Sequence, residues 1–338
     1  MAVYTRLTEE QLSRHLAIYS LGELVDFKEI IEGIDNSNFI LTTKLAGIEA
    51  ESKYILTIFE SRINTNDLPF FINLKLHLAQ KKISCPRPIL DNKGDIIVDL
   101  GNKKASIVTF LAGEVLKVQA DGYYGNITPQ HCFEVGAMLA KMHIAAQDFI
   151  LRRENDLGVK GWRPLFCRFE DRVDKNLDDE ILTALDFLEK SWRFDLPSAA
   201  THLDFFPDNI FFDKNNKICG VIDFYFAANE ALIYDFAIAI NAWCFDENNN
   251  FSQEKFFALK NGYEISRKFS DVELNFLKIA LCGAAMRFLL TRLHDMFFTP
   301  KNSLVKIKNP QEYLAKLRFF IKEFDSKIIF NNQVSKRI

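Results

Sequence analysis

The stretch THLDFFPDNIFF, Thr201–Phe212, followed closely by VIDFYF, Val221–Phe226, decides how this chain is read. It presents His202-x-Asp204-x-x-x-x-Asn209 and then Asp223, that is, a carboxylate, an amide and a second carboxylate in that order. Ile210–Phe212 predicts a short strand, Lys214-Asn215-Asn216 a turn, and Ile218–Ile222 a second strand ending at Asp223. The motif therefore sits on a hairpin, a context that a chance match in a loop would not supply.

These residue types suit phosphoryl transfer from a nucleotide to a hydroxyl. That reaction needs an acceptor for the hydroxyl proton, metal to neutralise the phosphates, and alignment of the two. Asp204 is placed to be the base. The Asn209 amide oxygen and the Asp223 carboxylate are hard ligands of the kind magnesium takes. His202 is assigned to loop organisation, because the base role is already filled. Asp235, in IYDFA, is an acid among apolar neighbours and must be satisfied if buried. Backbone N–H groups of the catalytic loop are the expected donors.

Working outward, Thr8 and Gln11 form a capping-box pattern ahead of Leu12, Leu16 and Tyr19, predicting a short helix. Strands are predicted over 24–31, 39–44 and 53–60, as an antiparallel meander. The turn between the first two contains Gly33, Asn36, Ser37 and Asn38, whose backbone N–H groups and serine hydroxyl suit nucleotide phosphates. A plain hairpin turn explains the same residues equally well. A helix over 68–80 and strands over 96–100 and 105–111 complete a first lobe, 1–112.

The remainder, 113–330, reads as mostly helical, with a polar tail at 331–338 expected to fray. Its helices are predicted over 129–147, 177–192 and 276–298, with a turn at 161–164. His143 is read as a packing residue. The fold class is α+β, a small antiparallel β-lobe followed by a larger helical, catalytic and substrate-binding lobe.

With 338 residues the chain exceeds the roughly 250 at which single cores stop growing, so two lobes fit. Its 48% hydrophobic content is that of a folded domain. A net charge of −3 supplies no general field for nucleic acid, so no such partner is expected. The six cysteines lack metal or disulfide spacing, which fits a reducing cytoplasm. The apolar run 231–245 is interrupted by Asp235 and too short to span a membrane. Oligomeric state is not encoded in any motif.

The loop HLDFFPDNIFF with GVIDFYF resembles the aminoglycoside-phosphotransferase-like kinases, a small-molecule branch of the protein-kinase-like fold. EGIDNSNFILTT, YILTIFE, RRENDLG with GWRPLF, IDFYFAANEALIYDFAIAINAWCFD and GAAMRFLLTRLHD are similar to the homoserine kinase family of that branch. The resemblance runs to about Asp295. It implies ATP and Mg2+ as cofactors and L-homoserine as substrate, with O-phospho-L-homoserine as product on the route to threonine. It matches Asp204 to the base, Asn209 and Asp223 to the metal ligands, and 33–38 to the nucleotide loop.

One departure stands out. Where a kinase strand carries its phosphate-binding lysine, YILTIFE offers Thr57, and the following helix has no glutamate to pair with one. Lys53 lies four residues earlier, about 13 Å away at about 3.3 Å per residue. The phosphates are then left to metal, to loop backbone or to a lysine whose place the sequence does not give.

An amino-acid substrate calls for an arginine and an acid or carbonyls. Arg287 and Arg292, in an apolar helix, are candidates for the substrate carboxylate. An internal ion pair with Asp295 or Asp246 is the equal alternative. Tyr225, Asn229 and Glu230 follow Asp223 and are candidate pocket residues. Competing functions are a kinase of another alcohol, of the choline, aminoglycoside or methylthioribose type, and a nucleotide-binding protein without turnover.

Overall fold

The structure, a computed structural model, describes residues 5–30, 36–60, 64–116, 125, 127–300, 307–322 and 324. Gly33 and the tail 331–338 lie outside the described residues. The chain divides into two compact units, Met1–Ala112 with Cys219–Tyr225, and Gly113–Ile218 with Phe226–Ile338. A single boundary at Ala112 thus misses a short return. The chain revisits the first unit for the residues around Asp223.

In the first unit, helix α1 (Glu9–Leu16) starts at Thr8, whose hydroxyl accepts from the Gln11 N–H while the Gln11 side chain accepts from the Thr8 N–H. Strands β1 (Glu23–Ile30), β2 (Asn36–Lys44) and β3 (Glu51–Phe59), helix α2 (Leu68–Gln80), and strands β4 (Val98–Leu100) and β5 (Lys103–Thr109) follow. The strands form an antiparallel sheet in the order β1-β2-β3-β5-β4.

Register sorts the two faces. Phe39, Leu56 and Ile107 pair across β2, β3 and β5, and these side chains join Leu41, Ile58 and Ala105 in a core closed by Leu12 and Leu16 of α1. One residue along, the opposite face carries the polar row Asn38, Thr57 and Ser106.

The second unit contains α3 (Pro129–Ala145), α4 (Val159–Phe166), α5 (Lys175–Ser191), β6 (Ser198–Thr201) and β7 (Ile210–Phe212). Strand β8 (Ile218–Val221) leads back to the first unit. After it come β9 (Ala228–Ala231), α6 (Leu232–Trp243), α7 (Gln253–Ser266), α8 (Asp271–Phe298) and α9 (Pro310–Lys322). Helix α4 replaces the turn expected at 161–164. Pro164 is accommodated within this eight-residue helix, and Trp162 is fully buried.

Helices α3 and α7 approach so closely that both carry glycine at the contact. A Cβ on Gly136 would stand 1.9 Å from the Leu259 carbonyl oxygen, and one on Gly262 would stand 2.0 Å from that of Phe133. Helix α8, capped by Ser270 and Glu273, is long and apolar enough to cross a membrane by composition. Most of it is nevertheless buried inside this unit, and it carries the buried Arg287 and Arg292, which marks a core helix.

Candidate active site

Strand β6 delivers the chain into the central loop, pairing antiparallel with β9 so that Ala200 faces Asn229 and Thr201 faces Ala228. The loop is fixed by groups that leave few of its backbone atoms free. Asp235, on the first turn of α6 and fully buried, accepts the N–H groups of His202 at 3.1 Å and Leu203 at 2.8 Å. His143 Nε2 lies 3.0 Å from the same carboxylate, and its Nδ1 lies 2.7 Å from the Tyr263 hydroxyl. Burial alone would raise the Asp235 carboxyl. Its bond to His143, the nearby imidazoles and the Leu203 N–H outweigh this and hold it below the ordinary value.

Leu203 adopts a left-handed conformation, φ 61°, and its carbonyl accepts from the buried Arg287 guanidinium. Trp243 Nε1 donates to the Phe205 carbonyl at 2.7 Å, and the Asp204 N–H donates to His202 Nδ1 at 3.2 Å. Asp204 is thereby set with its carboxylate partly exposed. Asn209 Nδ2 donates to the Asp204 carboxylate at 2.9 Å and to its carbonyl at 2.8 Å. With the amide nitrogen engaged, the Asn209 oxygen is the atom of that side chain left for a cation.

Asp223 belongs to the first unit and is exposed, with φ 62°. Its segment is tied there by the Val221 N–H to the Ser84 carbonyl at 2.9 Å and by Cys219 Sγ to the Ala112 carbonyl at 3.1 Å. Two residues on, the Tyr225 ring packs 5.9 Å from Phe59 and 5.8 Å from Phe71, and its hydroxyl bonds to Thr57. The Thr57 hydroxyl in turn donates to Asn38 Oδ1 at 2.8 Å.

A buried lysine enters this cluster from α2. Lys75 is 6% exposed and places Nζ 5.3 Å from the Tyr225 ring centroid. Burial pushes its ammonium down to about 8, opposed by Cys85 and Asp223. Its place on a helix is why strand position alone does not reveal it. The available signal was a charge among Phe71, Leu74 and Leu78 on a helical core face.

Several candidate residues stand elsewhere than expected. Asn36, Ser37 and Asn38 open β2 instead of forming the turn before it. Ser37 is 1% exposed and donates its hydroxyl to Glu60 at 2.7 Å, so it is not an open phosphate donor. Asn36 Oδ1 accepts the Glu60 N–H at 3.3 Å. Ser37, Thr5 and Lys103 together hold the Glu60 carboxyl below its ordinary value despite burial.

Arg292 bonds to the Asn309 carbonyl at 2.8 Å and to Glu312 at 2.5 Å, a partner twenty residues away on α9 that no local spacing points to. Arg287 serves the loop carbonyl, with its guanidinium over the Phe288 and Phe226 rings. The partners found for the two arginines are thus the Leu203 carbonyl for Arg287 and Glu312 with the Asn309 carbonyl for Arg292. Asn229 Oδ1 accepts the Arg153 N–H at 2.8 Å, while its amide nitrogen is buried with no hydrogen bond among the described residues. Glu230 accepts from Asn155 at 3.0 Å, and burial raises its carboxyl.

Residues 26–269 match the model of the phosphotransferase enzyme family. Among near full-length relatives is a homoserine kinase of Sinorhizobium medicae, 45% identical over 322 residues that cover 94% of each chain. A homoserine kinase of Bartonella henselae is 44% identical, over 95% of this chain and 97% of its own. The chain belongs to the phosphotransferase enzyme family, in the branch of these homoserine kinases.

Solved structures share the fold. The amicoumacin kinase hAmiN, solved with AMP-PNP and Ca2+, superimposes with TM-score 0.67 at 16% identity, covering 96% of this chain and 94% of its own. A spectinomycin phosphotransferase solved with ADP gives 0.63 at 15%, covering 97% and 99%. The architecture is thus the α+β, protein-kinase-like one.

Proposed function

We propose that this protein transfers the γ-phosphoryl group of ATP to the side-chain hydroxyl of L-homoserine, giving O-phospho-L-homoserine and ADP. The observation that carries this reading is near full-length identity of 42–45% to homoserine kinases, joined to a rigidly held Asp204. In the reaction the homoserine oxygen bonds to the γ-phosphorus as the bond to the bridging β,γ-oxygen breaks. The hydroxyl proton passes to Asp204, which releases it to solvent.

The chain's own contribution is positioning. Asn209 orients the Asp204 carboxylate, while Asp235 and Arg287 hold the backbone that carries it. The Asn209 oxygen in one unit and the exposed Asp223 carboxylate in the other are each a hard oxygen donor of the kind Mg2+ takes, and the metal would supply charge neutralisation for the phosphates when bound. The Asn229 amide nitrogen, buried and without a hydrogen bond among the described residues, suits the homoserine carboxylate, and the Glu230 carboxyl its ammonium. Six free cysteines suit a reducing cytoplasm.

The test is an acceptor panel of homoserine, choline, methylthioribose and kanamycin with ATP and Mg2+. Homoserine should be the best acceptor by kcat/KM. Preferred turnover of any other alcohol would overturn the assignment.

A further inference from the structure

Thr57 stands on β3 where a kinase of this fold carries its phosphate lysine, and the first unit fills that place with a different arrangement. The face of β3 bearing Thr57 and Phe59 meets Tyr225, and Tyr225 meets α2 through Phe71 and Lys75, which lie one helical turn apart. Asp223 acts electrostatically on both Lys75 and Tyr225, so Thr57, Lys75, Asp223 and Tyr225 make one cluster, with Tyr225 in contact with side chains of β3 and α2.

On stability alone, Leu or Met would serve better than Lys at a helix position packed among Phe71, Leu74 and Leu78, because burying an ammonium is costly. The Tyr225 ring returns part of that cost as a cation–π contact. What remains is a positive charge held beside a candidate metal carboxylate, with no glutamate on α2 to claim it.

Resting on the kinase reading above, we propose that Lys75, presented by helix α2 instead of strand β3, is the cation that meets the phosphates of the bound nucleotide. Tyr225 positions it, and Thr57, bonded to Asn38 and Tyr225, closes the site left by the strand lysine. The charge thus reaches the phosphates from the neighbouring element, and no strand lysine–helix glutamate pair is needed.

The experiment is calorimetric titration of the full chain, wild type and Lys75→Met, with ATP, ADP and adenosine in the presence of Mg2+, alongside homoserine kinase assays. Lys75→Met should weaken ATP and ADP by about 10- to 100-fold, the range for losing a charged hydrogen-bond donor. Adenosine binding and the KM for homoserine should stay within about twofold, because neither ligand carries the phosphates whose partner is removed. Unchanged ATP affinity overturns the proposal, as does an equal loss for adenosine, which would mark a structural role. If far-UV circular dichroism shows Lys75→Met unfolded, Lys75→Gln is read by the same criteria. Wild-type protein that transfers no phosphate to homoserine refutes the functional reading instead, so the two failures are distinguishable.

Discussion

Replacing Asp235 by alanine removes the acceptor on which the central loop hangs. Two backbone N–H groups, at 3.1 and 2.8 Å, and the His143 ring at 3.0 Å lose their partner in a site that water does not reach. Leaving a buried donor unsatisfied costs about 1–3 kcal/mol, so two orphaned N–H groups bring the loss to about 4 kcal/mol, before any relaxation. Asp235→Asn should cost about half of that, since one amide oxygen still accepts while the amide nitrogen faces a donor. Urea denaturation followed by circular dichroism measures both losses. The turnover number should also fall in Asp235→Asn, because one of the backbone N–H groups that set the loop beside Asp204 then faces an amide donor instead of an acceptor. An Asp235→Ala protein with the wild-type midpoint and turnover would refute this account of the loop.

The Arg292–Glu312–Lys316 network makes a pH prediction. Although burial favours its neutral form, Lys316 and Arg292 hold the Glu312 carboxyl at about 2, against an ordinary 4.5. Because the folded value is depressed, its stabilisation is complete above pH 4.5 and is lost as pH falls towards 2. The carboxylate side alone corresponds to about 3 kcal/mol, at about 1.4 kcal/mol per pH unit. Lys316 is itself pushed down by burial, so the net gain is nearer about 2 kcal/mol. Glu312→Gln should therefore be less stable at pH 7, with the gap narrowing steadily as pH falls from about 4.5 and closing only below about pH 2. A difference independent of pH would contradict the assignment. Gly136→Ala places a methyl 1.9 Å from the Leu259 carbonyl oxygen and should destabilise by about 3 kcal/mol in thermal or urea unfolding. A neutral effect would mean that α3 and α7 separate freely.

Local signals account for what the sequence made legible. Helix α2 runs from Leu68 to Gln80, as its amphipathic periodicity predicts, and the Thr8–Gln11 capping box starts α1. Strand β7, Ile210–Phe212, is bounded by turn residues on both sides. Non-local partners account for what was missed. The four-residue strands β6 and β9 have too few residues for a periodic pattern and exist by pairing with each other. Helix α4 contains Gly161 and Pro164, which read as a turn until the burial of Trp162 overrides them. Asn36–Asn38 look like turn residues, but β2 extends through them to pair with Phe59, Ile58 and Thr57. Arg292 finds Glu312 on another helix, and Lys75 is invisible to a search that expects the lysine on a strand.

The central claim is tested most directly by phosphorus NMR of ATP, Mg2+ and L-homoserine incubated with wild-type protein and with Asp204→Asn. Wild type should yield O-phospho-L-homoserine and ADP in equal amounts. Asp204→Asn should keep its folded circular dichroism spectrum and lose about 10²- to 10⁴-fold in turnover. No phosphohomoserine from wild type, or near-normal turnover by Asp204→Asn, would contradict the account.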